Sequence, residues 1–396
     1  MQIDWLTDQI PSDQPVITVV IDATRESEQG SQTVQTRWRD LQRGLSADGD
    51  IPPSLLDLLD EAMRVPTHVS GEHGRVLVAT PDEIVIDRVL AAPPQSDMAT
   101  RGICAATLAR IGDETVRYLV AEIDRSGADL TLQENVAMDF VPSNGNTTTV
   151  EGSHDVLHKV RRAGLATRRL QSRAEDSWER NAELVAEELD SVVARRRPEL
   201  LILTGDVRAV SLVRGRLGKE AQSIATVVEG GSRAEGVNAE AFEKKIAHAL
   251  ETFRHQRREQ VADQFRQEEG RDGTACRGLD DVMAALQRGQ VAELLLTEEA
   301  ASLPSELARH QVWVGDSAMQ LARSRQDLAD AGDDEPRELT ADLALGAAGA
   351  QQRAGYTIVD PAQISLPDGV GALLRWRDDS TPGQNVYSLS GDTGRT

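Results

Sequence analysis

Aromatic residues are scarce in this 396-residue chain, at 3%. Its cores must therefore be built mainly from Leu, Val, Ile and Ala, and the scarcity argues against aromatic platforms on which bases could stack. Cysteine is scarcer still. Cys104 and Cys276 lie far apart with no CxxC and no His-rich partner, which argues for a reducing compartment and against a structural zinc, and both are expected as buried small apolar residues. No apolar stretch approaches the ~18 residues of a membrane helix. The opening MQIDWLTDQIPSDQP has no basic region followed by an apolar run, so the expectation is a cytoplasmic protein without a membrane partner. Positive charge is also in deficit, with 43 Lys and Arg against 65 Asp and Glu and a formal net charge of -22. The mean field of such a surface repels phosphate, so any contact with RNA has to be local.

One stretch reverses that sign. HDVLHKVRRAGLATRRLQSR, residues 154–173, carries Lys159, Arg161, Arg162, Arg168, Arg169 and Arg173 against a single carboxylate, Asp155. Ala163 and Gly164 interrupt any apolar stripe, and the whole of 154–173 reads as an exposed basic loop between a strand region and a long helix. Guanidinium forks grip phosphate oxygens in pairs, and each neutralised phosphate releases condensed counterions, which drives binding to nucleic acid without regard to base sequence. The competing reading is a solvated helix end whose cations pair with Glu175, Asp176 and Glu179. His154 and His158 stand at i and i+4, but no Glu occupies the HExxH position and no third ligand is evident, so neither a metal nor a cofactor is expected.

The pattern of strands and helices is that of an α/β (α+β) protein of two or three domains. VITVVID, residues 16–22, reads as a buried strand, and RVLVAT (75–80) with EIVIDRV (83–89) as a hairpin. With two helices these make a first domain, residues 1–115, in which no catalytic spacing appears; Pro93-Pro94 starts a connecting segment. YLVAEID and ADLTLQ flank Arg125-Ser126-Gly127 as a second hairpin, opening a middle domain, 116–272, that contains the basic loop. There Trp178, Ala182, Val185, Leu189 and Val192 mark one face of a helix that Pro198 ends. ELLILTG (199–205) is a buried strand, 207–217 a helix, 225–228 a strand, and Phe242 to Phe265 line one side of a long helix. Glu229-Gly230-Gly231-Ser232 lacks the Lys and Ser/Thr of a phosphate-binding loop, so a plain turn is expected there. A third domain, 273–379, begins with a helix over GLDDVMAALQRGQ that Gly289 stops and a strand at 291–296. A helix over about 336–353 and short strands at 356–359 and 370–376 follow. Residues 380–396, polar with Gly and Pro, read as a disordered tail. The restarts near 115 and 272, without a heptad seam, suggest a monomer of three beads.

Three stretches in order resemble the archaeal and eukaryotic class-1 release factor and Pelota superfamily: YLVAEIDRSGADLTL, GLDDVMAALQRGQVAELLL and DGVGALLRW. The chain is similar from end to end to the actinobacterial branch of release-factor-like proteins, which is related to the ribosome hibernation factor Balon. The resemblance implies three domains: one directed at the decoding centre, an RNase H-like middle domain directed at the peptidyl-transferase centre, and a C-terminal domain similar to a kink-turn-binding ribosomal protein. It also aligns the basic loop with the loop that carries Gly-Gly-Gln in true release factors. Here those positions read Ala163-Gly164-Leu165-Ala166, and Gln171 stands seven residues after Gly164. A misplacement of ~1 Å can cost ~100-fold in rate, so hydrolysis is not expected.

Together these readings suggest a non-catalytic factor that occupies the vacant ribosomal A site in hibernation or stress, with elongation factor Tu as a candidate carrier. Lys159, Arg161, Arg162, Gly164, Arg168, Arg169, Gln171 and Arg173 would lie against ribosomal RNA. Two alternatives stay open: a peptidyl-tRNA hydrolase or rescue factor using Gln171, and a stress-induced interaction protein that does not bind ribosomes.

Overall fold

The computed structural model describes residues 14–24, 28–47, 51–69, 71–136, 147–151, 165–233, 238–271, 273–333 and 335–378, with the backbone alone at 28–32, 46–47, 134–136, 147 and 165–176. They form an α/β protein with several sheets and fall into two compact units. One is residues 115–255, and the other combines described residues before 115 with those after 255. The first and last of the three stretches read from the sequence thus share a unit.

That shared unit begins with β1 (Ile17–Asp22), a strand buried on both faces. Alternation along it sends Ile17, Val19 and Ile21 toward α1 (Glu28–Ala47) and α2 (Pro53–Arg64), while Val20 points into a second apolar cluster. The expected hairpin is present as β2 (Gly74–Ala79) and β3 (Ile84–Leu90), with Val78 opposite Ile86. β4 (Met98–Arg101) completes an antiparallel sheet of order β3-β2-β1-β4. After the Pro93-Pro94 segment comes a helix that the sequence did not disclose, α3 (Ala105–Glu114). Eight of its ten residues are buried, the polar Thr107 and Asp113 among them, so its burial does not follow the polar–apolar pattern from which a helix is read in a sequence. The first domain's expected two helices are therefore three.

The middle unit is one sheet between two layers of helix. β5 (Thr115–Ile123), β6 (Gly127–Val136) and β7 (Thr147–Glu151) form an antiparallel meander. Then α4 (Leu165–Arg196) leads to β8 (Leu200–Gly205), followed by α5 (Val207–Arg214), α6 (Lys219–Ser223), β9 (Ala225–Val227) and α7 (Ala239–Glu269). β8 runs parallel to β5 and β9 parallel to β8. The order β7-β6-β5-β8-β9 is consistent with an RNase H-like middle domain. Alternation along β5 divides the core: Leu119, Ala121 and Ile123 pack with Ala182, Val185 and Leu189 of α4. Tyr118 and Val120 pack with Phe242, Ile246 and Leu250 of α7. Each buried Leu, Ile, Val or Phe among them contributes roughly 1.5–3 kcal/mol. Tyr118 keeps its polar end satisfied by donating to Gln133 at 2.5 Å.

From Gln256 onward α7 belongs to the other unit. There Arg258 grips the buried carboxylate of Asp113, and Phe265 enters an apolar cluster with Leu295 and Leu373. β10 (Ala275–Arg277), α8 (Leu279–Gln287) and β11 (Val291–Thr297) follow the expected order, and Gly289, at φ 71°, sits just past the helix. Next come β12 (Gln311–Val314), β13 (Leu321–Ala322), α9 (Arg325–Asp330) and β14 (Arg337–Thr340). The helix expected over 336–353 begins only at Ala341, as α10 (Ala341–Gln351). Residues 337–340 are instead drawn into a three-stranded sheet against Gln311–Val314, and the Thr340 hydroxyl caps the helix by accepting from the Leu343 N–H at 3.4 Å. β15 (Gly355–Val359) and β16 (Val370–Leu374) close the sheet β10-β16-β11-β15; the last strand stops two residues short of the expected Trp376. Asp342 joins the two ends of the chain, accepting from the Ala106 N–H at 2.9 Å. Burial pushes its carboxyl up to about 6, although the amides of Ala106 and Ala105 and the Cys104 thiol all donate to it.

Cys104 and Cys276 are both free and buried. Among the described residues no helix is long and apolar enough to cross a membrane, and no group of three or more His, Cys, Asp or Glu could hold a metal ion. His154, His158 and residues 380–396 lie outside the described residues.

Candidate nucleic-acid interface

The basic stretch is attached to one end of the middle sheet. β7 ends there, with Glu151 opposite Gly127 in the β5–β6 turn. On the other side the structure corrects the extent of the loop. Residues 165–173 are the first turns of α4 rather than loop, so Arg168, Arg169, Gln171 and Arg173 stand on helical backbone, Arg169 and Arg173 one turn apart. Lys159, Arg161, Arg162 and Gly164 lie outside the described residues.

α4 runs antiparallel to β5: Arg117, near the start of the strand, donates to the Arg196 carbonyl at 2.8 Å, while Asn181 donates to the Arg125 carbonyl at 3.0 Å just past its end. At 1.5 Å per residue, the helix from Asn181 back to Leu165 extends roughly 24 Å beyond the strand ends. The sheet thus carries a helical arm, and its outer part holds the arginines.

A brace fixes the point where the arm leaves the sheet. Arg125 lies over the Trp178 ring, 4.4 Å from its centroid, and pairs with Asp206 at 3.2 Å. The same Asp206 caps α5, accepting from the Arg208 and Ala209 N–H groups at 3.0 and 3.1 Å. The β5–β6 turn, the arm and the α5 cap are therefore held by one guanidinium, whose cation–π contact alone contributes about 0.5–1 kcal/mol at an exposed site.

Three carboxylates at this sheet end gather around one cation. Arg233 pairs with Asp124 at 3.1 Å, with Asp129 at 2.9 Å and with Glu151 at 3.8 Å, and its side chain is only 13% exposed. Burial pushes Asp124 up, but donation from the Ser126 hydroxyl and amide, the Gly127 amide and Arg233 outweighs it and holds the carboxyl below its ordinary value. Glu122 goes the other way: burial and the charge of Asp129 raise it, against the Ser232 amide and Arg233. The expected plain turn at 229–232 spends its groups internally, since the Gly231 N–H donates to Thr204 at 3.0 Å and Lys245 donates to the Glu229 carbonyl at 2.9 Å. Gly231 lies so close to Thr204 and Phe242 that a Cβ would not fit.

The roles of Arg125 and Arg233 were missed in the sequence. Arg233 reaches partners more than 100 residues away, and no local period reports such a contact. The one available signal was Arg125 directly in the tight turn, beside an Asp on each strand.

The chain is similar to several known proteins. Uncharacterized protein Rv2629 of Mycobacterium tuberculosis (strain H37Rv) is 27% identical over 376 residues, covering 94% of this chain and 95% of that protein. Among solved structures, Saccharomyces cerevisiae Dom34, a translation termination-like factor interacting with Hbs1, is 12% identical with a TM-score of 0.34, over 69% of this chain and 67% of its own. An archaeal Pelota from a ribosome-bound assembly with ABCE1 is 13% identical with a TM-score of 0.33, over 94% and 93%. Residues 117–271, which contain the arm, the brace and the Arg233 cluster, match the family described as bacterial archaeo-eukaryotic release factor family 2.

Proposed function

We propose that this protein is a non-catalytic, release-factor-like protein that enters the vacant A site of the ribosome and protects the particle during hibernation or stress. The observation that carries this reading is the arm: a braced helix about 24 Å longer than its sheet, leading into a stretch with six cations in a chain of net charge -22. Such an arm suits a narrow, phosphate-lined site, where guanidinium groups gain by releasing counterions. The middle-unit family match supports translation as the setting. Gln171 supports the absence of hydrolysis, because it stands on regular helix seven residues past the glycine rather than in a turn that brings it to a scissile ester. Elongation factor Tu is the carrier proposed to deliver the protein, to be checked by co-purification.

The test is sedimentation with vacant ribosomes over a salt series. Replacing Arg161, Arg162, Arg168 and Arg169 by Ala should weaken binding and flatten the log-log salt slope by about four units. Binding should also be excluded by an aminoacyl-tRNA already in the A site. Unchanged affinity and slope with folding intact overturns the reading. Peptide release from nascent-chain complexes that disappears in Gln171→Ala would establish the hydrolase instead.

A further inference from the structure

A second reversal of sign lies in the middle unit. VRAVSLVRGRLGK, residues 207–219, contains Arg208, Arg214, Arg216 and Lys219 and no carboxylate. α5 buries Ala209, Val210 and Val213 against the sheet, which leaves Val207, Arg208, Ser211 and Arg214 outward. At 100° per residue these four form one continuous exposed band. Arg216 is spent on Glu179 at 3.3 Å, a contact that ties the end of α5 to the arm helix. Arg208 and Arg214 have no ion-pair partner among the described residues.

Some exposed arginines elsewhere are spent on acids, as Arg43 with Asp40, Arg195 with Glu188, Arg266 with Asp263 and Arg309 with Glu306. In an acidic protein, cations kept clear of carboxylates retain their full field for an outside partner. The first amides of α5 are occupied by the Asp206 cap, so the side-chain charges and not the helix terminus would hold an anion. The band is also rigidly placed, because Asp206 is bound to Arg125 and Arg125 braces the arm at Trp178.

We infer that this band, Arg208 and Arg214 with Lys219 beyond them, is a second surface gripping the phosphate backbone of structured RNA, beside the root of the arm. The inference rests on the ribosome-binding reading. It adds that contact continues from the basic stretch onto the body of the middle unit, and that it is indifferent to base identity, since point charges on phosphates carry no sequence information.

The test compares full-length variants on purified ribosomes over a salt series, with a photo-crosslinking residue at position 211 as a second readout. Arg208→Gln with Arg214→Gln should lower the log-log slope by about two units, one for each lost phosphate contact, and the position-211 crosslinks should fall on RNA. A control pair, Arg195→Gln with Arg309→Gln, should leave the slope unchanged. An unchanged slope in the Arg208 and Arg214 variant, an equal loss in the control pair, or crosslinks confined to protein would each overturn the inference. If those results come while the variant lacking Arg161, Arg162, Arg168 and Arg169 still loses affinity, ribosome binding through the arm stands and only the α5 surface fails. If the wild-type chain does not sediment with ribosomes, both fail.

Discussion

Arg233 and the pair Arg208 and Arg214 stand in the same unit and do opposite work. Arg233 is 13% exposed and holds three carboxylates, whereas the other two are exposed on α5 with no acid paired to them among the described residues. The difference shows that charge count alone cannot locate an interface. A guanidinium enclosed by acids is structural, and its removal is felt as stability. One held apart from acids contributes little to folding and remains available to a partner.

The largest expected effect tests the structural side. Arg233→Ala leaves Asp124 and Asp129 without their shared counter-charge, and because both remain partly wet the cost should be about 2–3 kcal/mol rather than the full cost of a buried pair. Hydrogen exchange in β5 and β6 should rise accordingly, and protection equal to wild type would erase the contrast.

Asp342 sharpens the comparison from the acidic side, being a buried carboxylate held by amides and a thiol instead of a cation. Its folded value of about 6 lies above the ~3.9 of an unfolded chain. The folded state therefore binds the extra proton in between, and this group's contribution to stability falls as pH rises from about 4 to 6, then levels off. Asp342→Asn abolishes that slope, so relative to wild type it should gain on the order of 2 kcal/mol between pH 4 and pH 7. Denaturation of the two proteins at both pH values measures it, and a difference independent of pH would rule out the raised value.

A smaller change is expected at the brace. Trp178→Ala removes the ring under Arg125 and should cost ~1 kcal/mol, seen as faster exchange in the first half of α4 and as weaker ribosome binding because the arm is less well held. If exchange there is unaffected, the arm is positioned by something other than this contact. The smallest effect belongs to Arg208→Gln with Arg214→Gln, which should alter stability by no more than ~0.5 kcal/mol. A loss as large as that of Arg233→Ala would place these arginines in the structural class and remove the contrast on which the α5 surface depends.

What could be read from the chain alone was whatever repeats over a few residues. β1, the two hairpins, the buried face of α4 and the start of α8 each follow from a period of 2 or 3.6 or from a turn residue such as Gly289, because burial on one face imposes that period locally. The basic stretch was equally visible, being a run of like charge, although its boundary was not: residues 165–173 have no distinct apolar face before Trp178, yet they continue the helix. Tertiary structure decided the rest. α3 is buried, its polar Thr107 and Asp113 included, because elements from both ends of the chain enclose it, and residues 337–340 became a strand only because Gln311–Val314 offered an edge. The carboxylates that Arg233 holds and the amide that Asp342 accepts lie roughly 80 to 240 residues away. Such pairings appear only once packing has brought distant segments together, since no local pattern encodes which carboxylate a guanidinium will meet.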